Sequence, residues 1–394
     1  MKNLVLLGAL LFLLTACSKD DGPVGGPFTG DVSLRTQADV DEFAAREYES
    51  VDGNIFIGND LENEDKIRDL SGLSTITSVD GYLWVSFNQV LQSLEGLHNI
   101  TRIGGNLIVE NNQLLQSYEG IRSLTSVGGN VTLSFNELVQ TLEPLRGLSN
   151  VGGAFWLQFH PMLRDLTGLE SLPIVMNGLV ITDNLRLQNL NGLPDLIRVN
   201  TIFAVSNNEQ LTDISVLDGL TVINGQFDFA DNPRMTSLST FDALEIVDVQ
   251  FFNLSGNTAL TSIDSFNDIT SLGQLSLGRM PNLQSITGFR SLTQLEFDFT
   301  LSTLNSLNDI SGLSSLQSIG RNIFFFANPE LSNLDALNQL TTVGGQVVIA
   351  NNEGLTDFCG LQPLLAAGFS GDFRIEDNAY NPTVQDMEAG NCSN

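Results

Sequence analysis

Apolar and polar positions recur along this chain on a step of 24 residues, most regularly over residues 79–244. The step restarts at Val79, Ile103, Val127, Val151, Val175, Val199 and Ile223, and each restart opens a stretch resembling V-G-G-N-L-x-I-x-x-N-x-x-L. Counted from each restart, apolar side chains fall at offsets 0, 4, 6, 12, 15, 18 and 21, as in Val127, Val131, Leu133, Val139, Leu142, Leu145 and Leu148. All such positions in the seven units are apolar except Tyr118, an aromatic carrying a hydroxyl. In a chain only 42% hydrophobic, this register marks a repeat architecture whose units bury their apolar sides against one another.

Within a unit, offsets 4 and 6 with an outward residue between them have the period of a strand, for example over residues 130–134. Gly128 and Gly129 supply a turn before it. The leucines at spacing three suit short extended or 3₁₀ segments, so the pattern predicts one continuous parallel sheet and two less regular sides. Offset 9 holds Asn88, Asn112, Asn136, Asn184, Asn208, Asn232, Asn257, Asn328, Asn352 and Asn378. These amides form a predicted structural ladder, each satisfying backbone groups at the corner after its strand and pairing with the coil above. His160 occupies the same slot and reads as a turn residue.

The first coil runs from Val51 through Ile55, Ile57, Ile67, Leu70, Leu73 and Ile76, with four extra residues inside the acidic run 60–65. That run either holds calcium or forms a solvated loop; it lacks the D-x-D-x-D-G spacing of a calcium loop. Past Ile223 the register continues with small slips, to about fourteen coils over residues 51–378. Ahead of them, residues 32–50 read as a cap, with Thr36 leading into Val40, Phe43 and Ala44 at helical spacing. Residues 379–394 read as a second cap. Caps are needed because an open end exposes apolar side chains and strand edges.

Residues 1–16 have a basic start at Lys2 and an apolar run too short to span a bilayer, as in a secretory signal. The run ends Leu14-Thr15-Ala16-Cys17, which resembles the lipobox of bacterial lipoproteins. The resemblance implies cleavage before Cys17, acyl chains on its sulfur and new amino terminus, and hence a membrane anchor. Ser18-Lys19-Asp20-Asp21 is similar to the surface-export signal of Bacteroidetes lipoproteins, which implies an outer-membrane protein exposed on the cell surface. Residues 21–30, rich in glycine and proline, read as the flexible end of a tether over residues 17–31.

The strand-then-leucine unit, I-x-G-x-L-x-I-x-x-N-x-x-L-x-x-L-x-x-L-x-x-L-x-x-I-x-G, resembles the receptor L domain, the leucine-rich β-helix of insulin- and EGF-type receptor ectodomains. The opening Thr36-Gln37-Ala38-Asp39-Val40-Asp41-Glu42-Phe43 looks like that family's cap. The resemblance implies a right-handed leucine-rich-repeat β-solenoid that binds ligands through surface residues outside the repeat motif. The chain departs from the family in its number of coils and in lacking a cysteine-rich module, so it implies no hormone-receptor role.

A formal charge of -29 argues against nucleic acid and anionic membrane surfaces as partners of basic patches. Cys359 and Cys392 flank the last strand and read as a disulfide closing the carboxyl-terminal cap, the other reading being two buried thiols. With His98 and His160 the only histidines, and no nucleophile elbow, zinc-protease motif or phosphate loop, no catalytic constellation stands out. No cofactor and no metal is expected, and the chain reads as a non-enzyme.

The outward offset 5 carries both tryptophans, Trp84 and Trp156, in line with Phe56 and Ile108, with Tyr82 nearby. Phe87, Phe135 and Phe159 lie at strand-end offsets. Such rings suit stacking on sugars or a protein hot spot; the other reading is that they stack along the ladder and stabilise the sheet. The sequence therefore points to a surface lipoprotein whose sheet face binds or adheres to an extracellular protein or glycan. The alternatives are an envelope spacer without a ligand and, third, a carbohydrate-active β-helix enzyme.

Overall fold

The computed structural model describes residues 24–59, 65–244 and 246–394. The expected signal peptide, the lipidated Cys17 and most of the acidic run, residues 60–64, lie outside the described residues.

A parallel sheet of fifteen strands dominates the described chain. It opens with Val32–Leu34 and closes with Phe373–Glu376, taking its strands in sequence order and passing over the short corner strands. Strand Val131–Ser134 shows why each forms. Val131 and Leu133 are fully buried while Thr132 between them faces outward, and Val139, Leu142, Leu145 and Leu148 fill the space behind. Leu145 N–H donates to Leu142 O and Leu148 N–H to Leu145 O, both at 2.8 Å, so the spacing-three leucines ride on 3₁₀ turns. The architecture is parallel strands in large sheets with few helices, compatible with a β-solenoid.

Two-residue strands such as Arg102–Ile103, Ser126–Val127 and Asn150–Val151 form a second ladder at the corner before the main sheet. The glycine pairs separate the two ladders: a Cβ built on Gly128 would lie 2.1 Å from Gly104 O. Where Asn200-Thr201 replaces the pair, one strand, Arg198–Ser206, runs through the corner unbroken.

Two expectations need correction. Regular structure begins inside the supposed flexible tether, because Pro27–Phe28 pairs in parallel with Ser50–Val51. The Phe28 ring gives the segment an anchor, lying 5.5 Å from Phe43 and 5.2 Å from Tyr48 between ring centroids. The register also slips at Val175, which is 46% exposed, while Met176 takes the core slot at 1%. Pro173 is the cause. Thr125 N–H donates to Thr101 O and Ser149 N–H to Thr125 O, but proline has no N–H to continue this ladder. The ladder resumes one residue later, with Ile197 N–H donating to Ile174 O.

Both ends are closed by packed segments. Helix Gln37–Ala44 starts with a capping box between Thr36 and Asp39 and buries Val40. At the other end Cys359 and Cys392 form a disulfide, and helix Val384–Glu388 buries Met387 behind its own box between Thr383 and Asp386.

Candidate binding face

The outward positions of the main sheet form columns, because a parallel register stacks each residue on its counterpart one unit earlier. The first column runs Phe56, Trp84, Ile108, Thr132, Trp156, Val180, Ala204 and Asp228 in unbroken pairing. Phe56 meets Trp84 edge-on at 5.2 Å, and Tyr82 meets Trp84 at 6.4 Å, while the Arg35 guanidinium lies 5.1 Å from the Phe56 ring centre. Trp156 stands apart, three strands from Trp84 with Ile108 and Thr132 between them. The structure therefore brings Phe56, Tyr82 and Trp84 into one cluster, flanks it with Ile108 and leaves Trp156 separate. All five are half-buried.

The second column, Gly58, Ser86, Glu110, Ser134, Gln158 and Thr182, is the floor beside it. Ser86 and Ser134 are buried, and Glu110 is only 8% exposed. Glu110 Oε1 accepts the Trp84 indole N–H at 3.1 Å, which fixes the ring plane against the sheet. Burial raises the Glu110 carboxyl above the usual range, with hydrogen bonds from Trp84 and Ser134 opposing the shift. Sequence reasoning passed over Glu110; its charge at an outward strand position between serines was the available signal.

The third column lies just past the strands, where the chain turns so that the next asparagine can enter the core. Phe87, Asn111, Phe135, Phe159 and Asp183 all hold left-handed backbone there, with φ between 53° and 60°. Asparagine and aspartate tolerate that conformation, whereas a phenylalanine pays steric strain for it. Phe87 is 47% exposed and Phe135 39%, and Phe135 stacks face to face on Phe159 at 4.0 Å. Val90 and Leu114, three residues beyond Phe87 and Asn111 in the chain, are also exposed.

Further along, Asp228 and Arg279 bring acidic and basic groups to the same face, the combination a carbohydrate-active site would need. Their bonds are internal. Arg279 grips Asp231 through two nitrogens at 2.9 Å, and Asp228 accepts from Asn253 Nδ2 at 2.8 Å. Burial raises the Asp228 carboxyl, with Asn253 and Ser206 opposing.

Behind the face, the predicted ladder asparagines are all buried. Asn88, Asn112, Asn184, Asn208, Asn232, Asn328 and Asn352 each donate backbone N–H to the next asparagine's Oδ1, at 3.0 to 3.2 Å. Their side-chain amides donate to strand carbonyls, as from Asn208 to Ile181 O at 2.9 Å. Met280 and Leu304 interrupt the slot with apolar chains between Asn257 and Asn328. His160 interrupts it with a ring, and there Tyr118 Oη lies 2.7 Å from His160 Nε2 and accepts from Asn136 Nδ2 at 2.9 Å.

A scan against protein-family models finds no match, and a search of curated proteins finds none similar to this chain. Among the described residues no helix is long and apolar enough to cross a membrane, and no three or more His, Cys, Asp or Glu side chains are grouped to hold a metal ion.

Proposed function

We propose that this chain is a non-enzymatic recognition module, a β-solenoid of about fourteen coils resembling the receptor L domain. It is held at the outer surface of a bacterial outer membrane through lipid on Cys17 and binds a protein or glycan with its sheet face. One observation carries the reading. Phe87, Phe135 and Phe159 occupy a left-handed backbone slot that disfavours them, two of them well exposed, beside the columns that hold Trp84 and Glu110. Phe266 and Phe289 hold the same backbone but are fully buried and stacked, where packing offsets the strain; the exposed Phe87 and Phe135 lack that burial, and strain without it fits a surface that does work other than folding. The half-buried rings of Phe56, Tyr82, Trp84 and Trp156 add rigid area beside these phenylalanines, at little entropic cost to a ligand.

The test is a glycan array and a surface-protein pull-down, run with the intact chain and with a Trp84→Ala/Phe135→Ala variant. A ligand retained by the first and lost by the second, with melting changed by only a few degrees, supports the module. A ligand bound equally by both sinks this face as the site. A spacer without a ligand is the second reading, favoured by the Phe56–Trp84 and Phe135–Phe159 ring pairs, which also stiffen the sheet.

A further inference from the structure

Away from the sheet face, three consecutive repeats form a concave pocket of about 440 Å³ lined by Arg164, Leu185, Arg186, Gln188, Glu209 and Gln210. The 24-residue register builds it: Gln188 stands one repeat above Arg164, Glu209 above Leu185, and Gln210 above Arg186. The backbone locks the first of these steps, with Gln188 N–H donating to Arg164 O at 2.9 Å.

Its charge runs against the rest of the molecule. The chain carries 46 acidic residues against 17 basic ones. Arg102, Arg122, Arg146, Arg279 and Arg374 pair with carboxylates, while others such as Arg198, Arg234 and Arg290 make no ion pair among the described residues; what sets Arg164 and Arg186 apart is that two such arginines line one pocket. Arg164 and Arg186 make no ion pair among the described residues; the one side-chain bond of Arg186 runs to the Met162 sulfur at 3.3 Å. Two guanidinium groups thus share a pocket with their donors uncommitted. A guanidinium fork matches a carboxylate oxygen pair.

The remaining lining narrows the ligand. Gln188 and Gln210 offer both donors and acceptors, and Glu209 offers an acceptor for hydroxyl groups. Leu185, 44% exposed, supplies an apolar patch for the C–H face of a ring. The site is an open concavity with room for about one or two sugar units. An acidic peptide satisfies the arginines but brings few hydroxyl donors for Glu209. A uronic acid brings one carboxylate and several hydroxyls together. We infer that this pocket is a binding site for a uronate-bearing saccharide, with Arg164 and Arg186 on the carboxylate and Glu209, Gln188 and Gln210 on the hydroxyls.

The inference is independent of the aromatic face and is tested separately from it. Titration calorimetry on the intact chain would use a galacturonic acid trisaccharide, with the matching neutral galactose trisaccharide, sodium sulfate and triglutamate as comparators. Binding of the uronate alone, weakened at least tenfold in Arg164→Gln/Arg186→Gln, unchanged in Trp84→Ala and falling as salt rises, is the expected result. The exposed positions of both arginines keep the variant folded, which its melting curve checks. No uronate binding, equal binding by the double variant, or sulfate or triglutamate binding as tightly as the uronate would each overturn the assignment.

Discussion

The Tyr118 hydroxyl and His160 Nε2 meet at 2.7 Å in the fully buried interior. Because the Asn136 amide already donates to the Tyr118 oxygen, the hydroxyl proton is free to donate to Nε2, which leaves the ring proton on Nδ1. The single hydroxyl in the apolar register thus satisfies Nε2 of the single ring in the asparagine ladder, while the buried Nδ1 has no hydrogen-bond partner among the described residues.

Burial pushes the His160 imidazole down to about 4, below its ordinary value of 6.5. The folded chain therefore binds fewer protons than the unfolded one between these values, and stability falls as pH drops through that window. The loss is on the order of 3 kcal/mol for a shift of this size. A Tyr118→Leu/His160→Asn variant, which restores the common pattern at both positions, should lose this part of the acid sensitivity. Urea midpoints of both proteins at pH 7 and pH 4.5 check it; an unchanged difference between the two pH values would refute the role of His160.

Asn208 donates to Ile181 O, and its Oδ1 accepts from Asn184 N–H. Replacing it with leucine strands both backbone groups in the interior, at about 1–3 kcal/mol for each. Asn208→Leu should therefore lower the denaturation midpoint by several kcal/mol equivalents, far more than Gln210→Leu two residues away at the surface. Equal effects would mean that the ladder adds nothing beyond packing.

Phe87→Asn should raise stability by about 0.5–1 kcal/mol, since asparagine tolerates the left-handed backbone that phenylalanine resists. The same change should weaken any ligand held beside Phe87. Thermal melting measures the first effect, and a drop in melting temperature would show that the ring contributes more to folding than its exposure suggests.

The slip at Pro173 separates two adjacent residues of similar character. Met176→Ala should cost about 2–5 kcal/mol as a buried truncation. Val175→Ala should stay within about 0.5 kcal/mol as a surface change. Chemical denaturation of the two variants distinguishes the observed register from the unshifted one.

Reduction of the Cys359–Cys392 bond, which closes a 33-residue separation, should cost about 3–4 kcal/mol in the chain-entropy model. Hydrogen exchange should rise first around helix Val384–Glu388, and uniform loosening of the whole sheet would contradict a local clamp.

The outward column from Phe56 to Asp228 was readable from the chain because strand alternation and a constant step leave one solution for which side faces the core. Residues that break the step were harder to place. The exposed Val175 and the ordered Pro27–Phe28 depend on single backbone donors and a single ring contact, which a periodic pattern does not encode. The Tyr118–His160 bond joins residues 42 apart, less than two full repeats, so neither shares an offset with the other. Glu110 and the Arg164–Arg186 pair were missed because their meaning comes from what stands beside them in space, a neighbouring indole in one case and a shared pocket without an ion pair in the other.

The stacked columns give the surface the properties of a ruler. Each rung is one repeat, so the distance between Trp84 and Trp156 changes only in whole rungs of about 4.8 Å as units are gained or lost between them. Duplication of a unit would lengthen the span and leave every core contact type intact. The grip on an extended ligand can thus be retuned in discrete steps by recombination alone, without a single point substitution in the interior.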